Sequence, residues 1–515
     1  MIKSIVILGG GTSGWLAACY LNRVLRSPEG EAPIAITVVE SEEIGVIGVG
    51  EATVPSIKNI LMSLGIPEWQ FLAETDATFK HGILFRDWLD APGVPSEFGE
   101  YFHMFENPPA MEGFGLATHW AALADRGAAP RRFADAVSLQ STLCHGSKSP
   151  KPYDAKPYEA PVPYAYHLDA VRFGQFLRKI AIERGVRHVV DTVGQVRLGE
   201  DGAIVSLATR AHGDIAGDFF IDCSGFSSVL LGGAMQEPFE DWGDYLLCDR
   251  AVACQIAHEA EDAPLRPYTT ATAKEAGWIW EIDLFTRRGN GYVYSSRHSS
   301  AERAEQVLRQ HLGPLADSAS VRQLRMQIGH RRNMWSKNCL ALGLAAGFLE
   351  PLESTGIYLL EVALSLFTDH IATGPASPYL AARFNRKMGQ IYEELRDFIQ
   401  LHYVTSNRDD TDFWRDYTNH VKVSDALKYR LDLWTFKLPS LTDLDEKTSL
   451  FGPSSYTYIL AGMDRMPALG NHLSAYISPA ASARALQSME QFQQRAMVAA
   501  PDHREYVQKQ RAVAR

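Results

Sequence analysis

No stretch of about 18 consecutive apolar residues occurs anywhere in this chain, so no membrane-spanning helix is expected. Cysteine is scarce, at six in 515 residues, and no two cysteines form a Cys-x-x-Cys pair. That spacing excludes the usual zinc sites and a disulfide framework; the six read as reduced, buried thiols of a cytoplasmic protein. No ligand-spaced His/Cys cluster appears, and no metal is expected. Basic residues are in deficit, 50 Lys and Arg against 61 Asp and Glu, for a net charge of −11. A dedicated nucleic-acid binder carries a basic face, so that class is disfavoured. Internal repeats and low-complexity tracts are absent. The opening MIKSIVILGGG has an apolar run that glycines end at once, which reads as a first strand rather than a signal peptide.

What is present is an ordinary globular composition, 46% hydrophobic and 22% charged, enough for a large core. Ile2 to Leu8 and Ile34 to Val39 are β-branched runs suited to buried parallel strands, and the helical spacing from Thr12 to Leu25 between them completes a β-α-β unit. Ile57 to Leu64 reads as a helix. From Phe85 to Pro163, dense Pro, Gly and aromatic residues predict an irregular, loop-rich insertion. The spacing predicts an amphipathic helix over 169–184. Strands follow at 188–192, 196–198, 204–209, 215–222, 251–256, 277–285 and 291–296, with Arg287-Arg288-Gly289-Asn290-Gly291 as a hairpin turn. After Gly356 the character is mainly helical, over 357–371, 379–403, 410–421 and 480–497.

Gly9-Gly10-Gly11-Thr12-Ser13-Gly14 fits G-x-G-x-x-G directly after a strand and opening a helix. Glycines there permit a tight turn, close approach of backbone to a pyrophosphate and tight helix–strand packing, while the helix N-terminus offers N–H groups to the anion. Glu40 ends the second strand, placed for a ribose hydroxyl. Phe219-Phe220-Ile221-Asp222-Cys223-Ser224-Gly225 and Leu340-Ala341-Leu342-Gly343-Leu344-Ala345-Ala346-Gly347 resemble the second and third flavin-contacting motifs of glutathione-reductase-like enzymes. Their order favours FAD over NAD. No second complete G-x-G-x-x-G marks an internal NAD(P)H domain, so reduced flavin would come from a separate reductase.

Four further segments carry a more specific resemblance. Gly48-Val49-Gly50-Glu51-Ala52-Thr53-Val54-Pro55 is a glycine loop. Lys80 lies among Phe79, Ile83 and Leu84, where partial burial would lower its proton affinity and make it a nucleophile or hydrogen-bond donor. Pro351-Leu352-Glu353-Ser354-Thr355-Gly356-Ile357 precedes a long helix, with Ser354 or Thr355 as the plain alternative cap. Gly277-Trp278-Ile279-Trp280-Glu281-Ile282-Asp283 sets two indoles on one face of a strand. Together they resemble the flavin-dependent halogenases, the tryptophan-halogenase-like family, through almost the whole chain.

The resemblance implies an α/β fold: a glutathione-reductase-like, Rossmann-type FAD part over 1–79 and 160–350, and a mainly helical substrate part over 80–159 and 351–515. It assigns flavin contacts to Gly9, Gly10, Gly11, Ser13, Gly14, Glu40, Ser41, Ile44, Val49, Ala52, Val193, Leu344 and Ile357. It places halide, chloride or the more easily oxidised bromide, at Thr355 and Gly356. Catalysis falls to Lys80 and Glu353, and Trp278 and Trp280 pack as a barrier between flavin and arene. FADH2 from a separate NAD(P)H-dependent reductase, with O2, would convert halide to hypohalous acid, which Lys80 delivers to a small aromatic molecule. His103, Phe105 and Phe451 fall at the arene-binding positions. Two departures stand out. Asp283 replaces the Pro that closes the Trp motif, reaching solvent or pairing with Arg287 or Arg288. Leu450 and Phe451 occupy the place of a Phe-Trp pair, and the amino-acid clamp is reduced to Asp445 and Glu446 nearby. Indole is therefore expected to outperform free L-tryptophan. An aromatic hydroxylase and a non-catalytic flavin binder are the alternatives, and a homodimer is an open option.

Overall fold

The computed structural model describes residues 2–25, 33–44, 50–94, 99–128, 131–371, 377–444, 449–467 and 476–513. The chain divides into two compact units. One comprises Met1–Ala77, Leu168–Gly243 and Arg325–Glu393; the other comprises Thr78–His167, Asp244–Leu324 and Glu394–Arg515. These units group 244–324 with the insertion and 351–393 with the N-terminal sheet, whereas the sequence division breaks at 351.

In the first unit the strands Arg187–Val190, Ala35–Glu40, Ser4–Leu8, Phe219–Asp222 and Cys339–Ala341 lie side by side in parallel, and Trp335–Ser336 closes the edge antiparallel. Ile5, Val6, Ile7 and Leu8 are all buried, each worth roughly 2 kcal/mol of apolar transfer. The helix Thr12–Val24 packs against Ala170–Glu183. Asp169 caps the latter by accepting from Arg172 N–H at 3.0 Å, and Gly174 leaves ordinary contact distance to Thr12. The expected strand 215–222 is two strands, Gly213–Ala216 in a three-stranded antiparallel sheet and Phe219–Asp222 in the parallel one. Asp218 makes the break: its carboxylate accepts from the N–H groups of Lys3 and Ser4, at 2.8 and 2.9 Å, and so turns the chain between sheets.

The second unit is built on a seven-stranded sheet. Its order is Val321–Arg325, Arg250–Ile256, Arg288–Tyr294, Gly277–Asp283, Thr269–Lys274, Gly82–Arg86, Glu100–Met104. The stretch 85–163 is less irregular than its composition predicts. It carries the strand Glu100–Met104 and the helices Leu116–Ala124, Phe133–Val137 and Leu139–His145. Helices of nine, five and seven residues are too short to show a 3.6-residue period above the background of buried aromatics. Leu116, Trp120, Phe133 and Leu139 enter one core with Leu486 and Met489 of the helix Pro479–Ala499. From residue 351 onward the described residues form helices and no strand.

The hairpin turn also differs from expectation. Asp283 pairs with Arg288, and Leu284 N–H donates to Arg287 O at 2.9 Å, so the reversal falls at 284–287. Asn290-Gly291 lies inside the following strand, because Gly291 is needed there for a packing reason given below. No described helix is long and apolar enough to cross a membrane. All six cysteines are free and buried.

Candidate active site

The three flavin-type motifs meet at the carboxyl ends of adjacent parallel strands, where Leu8 is in register with Asp222 and Asp222 with Ala341. That edge is where open α/β sheets bind ligands. Gly9 has φ +118°, and a Cβ there would lie 2.2 Å from Cys223 O. A Cβ on Gly14 would lie 1.9 Å from Gly9 O, and one on Gly10 would lie 2.1 Å from the Glu40 carboxyl carbon. Gly11, by contrast, has nothing within 4 Å of a Cβ and begins a helix with no side-chain cap. Its open side fits a pyrophosphate on the N–H groups of the first turn.

Ser13 Oγ abuts Gly343, so the first motif touches the third. Glu40 accepts from His188 Nε2 at 3.0 Å, and His188 stands edge-on to Trp15 with centroids 5.0 Å apart. Ser41 Oγ and Thr192 Oγ1 are 2.7 Å apart, which fixes the approach of Val193. Ile44 is largely exposed, Ala52 lies in the strand Gly50–Ala52, Leu344 sits in the turn Gly343–Ala345, and Ile357 is buried in the helix Gly356–His370. Val49 lies outside the described residues. Asp222 serves the fold, accepting from Leu230 and Leu231 N–H at 2.8 and 2.9 Å. These features suit FAD and define the first unit as a flavoprotein fold of the glutathione-reductase type.

The segment Pro351–Glu353 forms one tight turn, and Ser354 then takes a left-handed conformation with φ +61° before the helix Gly356–His370 begins. A non-glycine residue held there costs of the order of 1 kcal/mol, the kind of strain found at functional turns. Glu353 and Thr355 are buried, at 2% and 1% exposure. The Thr355 side chain at the N-cap position makes no cap hydrogen bond to this helix, so the plain capping alternative does not hold for Thr355. Gly356 has nothing within 4 Å of a Cβ, leaving room for an anion at the positive end of the helix.

In the second unit Lys80 is fully buried, deeper than its neighbours' composition suggests. It ends the strand Thr78–Lys80, in antiparallel register with Ala165, and its Nζ lies 5.2 Å from the centre of the Phe105 ring. Three buried histidines that sequence reasoning missed surround this strand. His503 Nε2 accepts from Phe79 N–H at 3.0 Å while Nδ1 donates to Leu265 O, also at 3.0 Å. His81 Nε2 donates to Lys148 O at 3.2 Å, and Gln140 Nε2 lies 3.0 Å from its Nδ1. His167 Nε2 lies 3.0 Å from Thr269 Oγ1. Burial pushes His81 down to about 3 and His503 to about 4; burial and then the Lys80 charge hold His167 well below its usual range. All three are neutral at pH 7, so none adds a cation beside Lys80.

His103 lies 5.7 Å from Phe451 and 5.7 Å from Phe398, ring centre to ring centre, and Phe398 stacks on Phe451 at 3.8 Å. Phe398 gave no signal in the sequence, since it is one apolar position of a long helix. An arene held between two ring faces needs about 7 Å between them, twice a van der Waals contact, so His103 and Phe451 as placed touch each other. Leu450 is described; Asp445 and Glu446 lie outside the described residues.

Trp278 and Trp280 occupy one face of a fully buried strand, with centroids 6.4 Å apart. Trp280 lies opposite Gly291, where a Cβ would come 2.0 Å from the indole Cη2. The indole thus covers the glycine, which is why the Asn-Gly pair is in the strand and not in the turn. Gly291→Ala is expected to cost about 1–3 kcal/mol by overpacking, read as a lower urea midpoint with altered tryptophan emission.

On the opposite face, Asp283 is buried, and the cation that binds it closely is Arg266, with the expected Arg288 farther off. Its carboxylate takes two hydrogen bonds from the Arg266 side chain, at 2.7 and 3.1 Å, and a third from Arg266 N–H at 2.9 Å; Arg288 lies at 3.6 Å. Glu281 pairs with Arg288 at 2.6 Å, Arg266 at 3.3 Å and His311 at 3.1 Å. Burial pushes both carboxyls up, but the Arg266 charge outweighs it at Asp283. At Glu281 the His311 hydrogen bond and the Arg266 charge do the same, and both groups end below the usual carboxylate range. Among the described residues no group of His, Cys, Asp and Glu is arranged to hold a metal ion.

Residues 4–479 match the family model described as tryptophan halogenase. The tryptophan 6-halogenase SttH of Streptomyces toxytricini is 37% identical over 496 residues, 93% of this chain and 92% of SttH. Its crystal structure superposes with a TM-score of 0.89, covering 98% of this chain and 99% of that one. The tryptophan 7-halogenase RebH of Lentzea aerocolonigenes is 35% identical over 489 residues, 90% of each chain. The flavin-dependent halogenase BrvH of Brevundimonas sp. BAL3 superposes with a TM-score of 0.87 at 35% identity over 99% of both chains. The chain belongs to the tryptophan-halogenase family. It is therefore a flavin-dependent halogenase, an enzyme that uses FAD and a halide and acts on aromatic substrates.

Proposed function

We propose that this halogenase transfers chlorine or bromine to an electron-rich arene such as indole, with Lys80 and Glu353 as the catalytic pair. The observation that carries the reading is the complete burial of Lys80, with its Nζ 5.2 Å from the centre of the Phe105 ring. FAD, held by the Gly9–Gly14 turn and Glu40 and reduced by a separate flavin reductase, supplies with O2 the oxidation of halide to hypohalous acid.

The protein's own residues then do four things. The first turn of the Gly356 helix, with Thr355, holds the halide through N–H groups and the helix dipole. Trp278 and Trp280 fill the barrier strand and keep flavin and arene chemistry apart. The Lys80 side chain, among neutral histidines, binds the hypohalous acid by hydrogen bonding, or as the neutral amine attacks the halogen, releases water and carries the halogen as a haloamine. Glu353 orients the oxidant or takes the proton from the cationic arene. In the transfer from hypohalous acid a carbon–halogen bond forms, the oxygen–halogen bond breaks, and the displaced oxygen leaves as water with the arene proton; from the haloamine the nitrogen–halogen bond breaks and the Lys80 nitrogen ends with the arene proton.

Free L-tryptophan is the second reading, favoured by the names of the relatives SttH and RebH. Against it stands Leu450-Phe451 where the family carries its Phe-Trp pair, with no evident amino-acid clamp. The test is mass spectrometry of products from an arene panel, run with a flavin reductase in chloride and in bromide. Indole is expected to be turned over at least about tenfold faster than free L-tryptophan, the worth of one lost charged hydrogen bond or more. Equal or faster turnover of tryptophan would overturn the substrate assignment. A hydroxylated product in place of a halogenated one would overturn the barrier role.

A further inference from the structure

The helix Ile57–Ser63 begins with an anomaly. Ser56 occupies its N-cap position, where a serine hydroxyl ordinarily accepts from the first free N–H groups and stabilises the helix by about 1 kcal/mol. Here it makes no cap bond. Its Oγ instead donates to Glu361 Oε2 at 2.7 Å, across 305 positions of sequence. Ser56 thus gives up a local bond for a distant one, and the distant partner is informative.

Glu361 lies on the helix Gly356–His370, four residues after Ile357 and so on the same face. Its other oxygen, Oε1, is buried and has no hydrogen-bond partner among the described residues. Burial raises this carboxyl to about 7, against the lowering effect of the Ser56 bond, and no cation offsets it. Tyr358 on the same helix is the neighbour that feels it: burial, then the Glu361 charge, pushes that phenol up to about 12. A buried acid that binds no cation does little for stability, since its desolvation costs more than one hydrogen bond returns. Its value lies in what it holds. Ser56 directly follows the segment Gly50–Pro55, the described end of the glycine loop whose Ala52 the resemblance assigns to flavin, and the Gly356 helix begins at the proposed halide site.

We propose that Glu361 is a positioning residue, and that its bond to Ser56 anchors the flavin loop to the halide-site helix so that both meet FAD in one fixed arrangement. The inference rests on the FAD use of the proposed function and on reading Ala52 and its loop as flavin-contacting, as the family resemblance implies. The anchor acts on cofactor affinity, and the chemical step at saturation is left alone.

The test is a double-mutant cycle on the full chain, read as the Kd for FAD by flavin-fluorescence titration. Ser56→Ala and Glu361→Ala are each expected to weaken FAD binding by about fivefold, one hydrogen bond's worth. The double variant is expected to be no weaker than either single one. Glu361→Gln, whose amide oxygen accepts the same O–H, is expected to stay within about twofold of the parent. With saturating reduced flavin and bromide, kcat of all four is expected to stay within about twofold of the parent. Additive losses, an unchanged Kd in either single alanine variant, or a Gln variant as weak as the Ala variant would each overturn the anchor. So would a fall in kcat at saturation, or a lowered melting temperature without a change in Kd. Affinity for FAD is independent of the halogen-transfer assignments: a chain that shows this cycle yet halogenates no arene would refute the proposed function and leave the anchor intact.

Discussion

Lys80→Ala, supplied with reduced flavin, bromide and indole, is expected to lose halogenated product by about 10³-fold, the scale of a positioned donor in a proton-coupled transfer. Lys80 has no exposure to solvent, so its hydrogen bonds act in a medium of low effective dielectric, where a donor is worth far more than in water. Its neighbours sharpen the effect. His81, His167 and His503 are all neutral, so none of them adds a cation beside it. Lys80→Arg is expected to fail nearly as badly. A guanidinium is bulkier, its fork is rigid, and it stays protonated, so it forms no haloamine. The Kd for FAD is expected to be unchanged in both, since the Gly9–Gly14 turn and Glu40 belong to the other unit. Full activity of Lys80→Ala would end the assignment. Loss of FAD binding along with activity would show that the residue is structural.

Arg266→Ala is expected to destabilise the second unit by about 3–5 kcal/mol, because it strands a buried carboxylate without its partner. Asp283 is 3% exposed, and Arg266 makes three of the hydrogen bonds that keep it ionised. The drop appears as a lower urea midpoint, with loss of the native tryptophan emission of the strand that carries Trp278 and Trp280. Replacing both partners by leucine is expected to recover most of it, since two apolar groups leave no uncompensated charge. The same pair governs the acid limb. Asp283 and Glu281 titrate below their unfolded values, near 3.9 and 4.3. Their contribution is therefore fully present above those values and is lost as the pH falls through the lower folded ones. In Arg266→Ala the acid transition is expected to begin at higher pH than in the parent. An unaltered urea midpoint and acid limb would mean that the Asp283–Arg266 pair does not hold this strand.

The parts of the molecule legible in the sequence are those whose geometry is local. Gly14 is a glycine because a Cβ would meet Gly9 O five residues back; at Gly9 and Gly10 the atoms that forbid a Cβ belong to the distant Cys223 and Glu40, but the G-x-G-x-x-G spacing between a strand and a helix still marks the turn. The helix Ala170–Glu183 shows its period and its Asp169 cap directly, and the paired Trp278 and Trp280 show their shared face. The Asn290-Gly291 pair misled for the complementary reason. Its local preference is a turn, but an indole from the neighbouring strand needs the missing Cβ, and packing outranks turn propensity. Arg266 as the partner of Asp283 was equally hidden, because nearby Arg287 and Arg288 looked sufficient along the chain.

By itself, then, the sequence determined the G-x-G-x-x-G turn, the Pro351–Ile357 motif proposed to hold halide, the indole pair and the place of Lys80, since each depends on residue types at fixed short spacing. Only the tertiary structure decided that Lys80 is wholly buried among neutral histidines, that Phe398 stacks on Phe451, that Asp283 is clamped by Arg266, and that Ser56 reaches Glu361. Each of those is a contact between segments far apart in the chain, set by which faces the sheets and helices bury together. Spacing along a sequence carries no record of that.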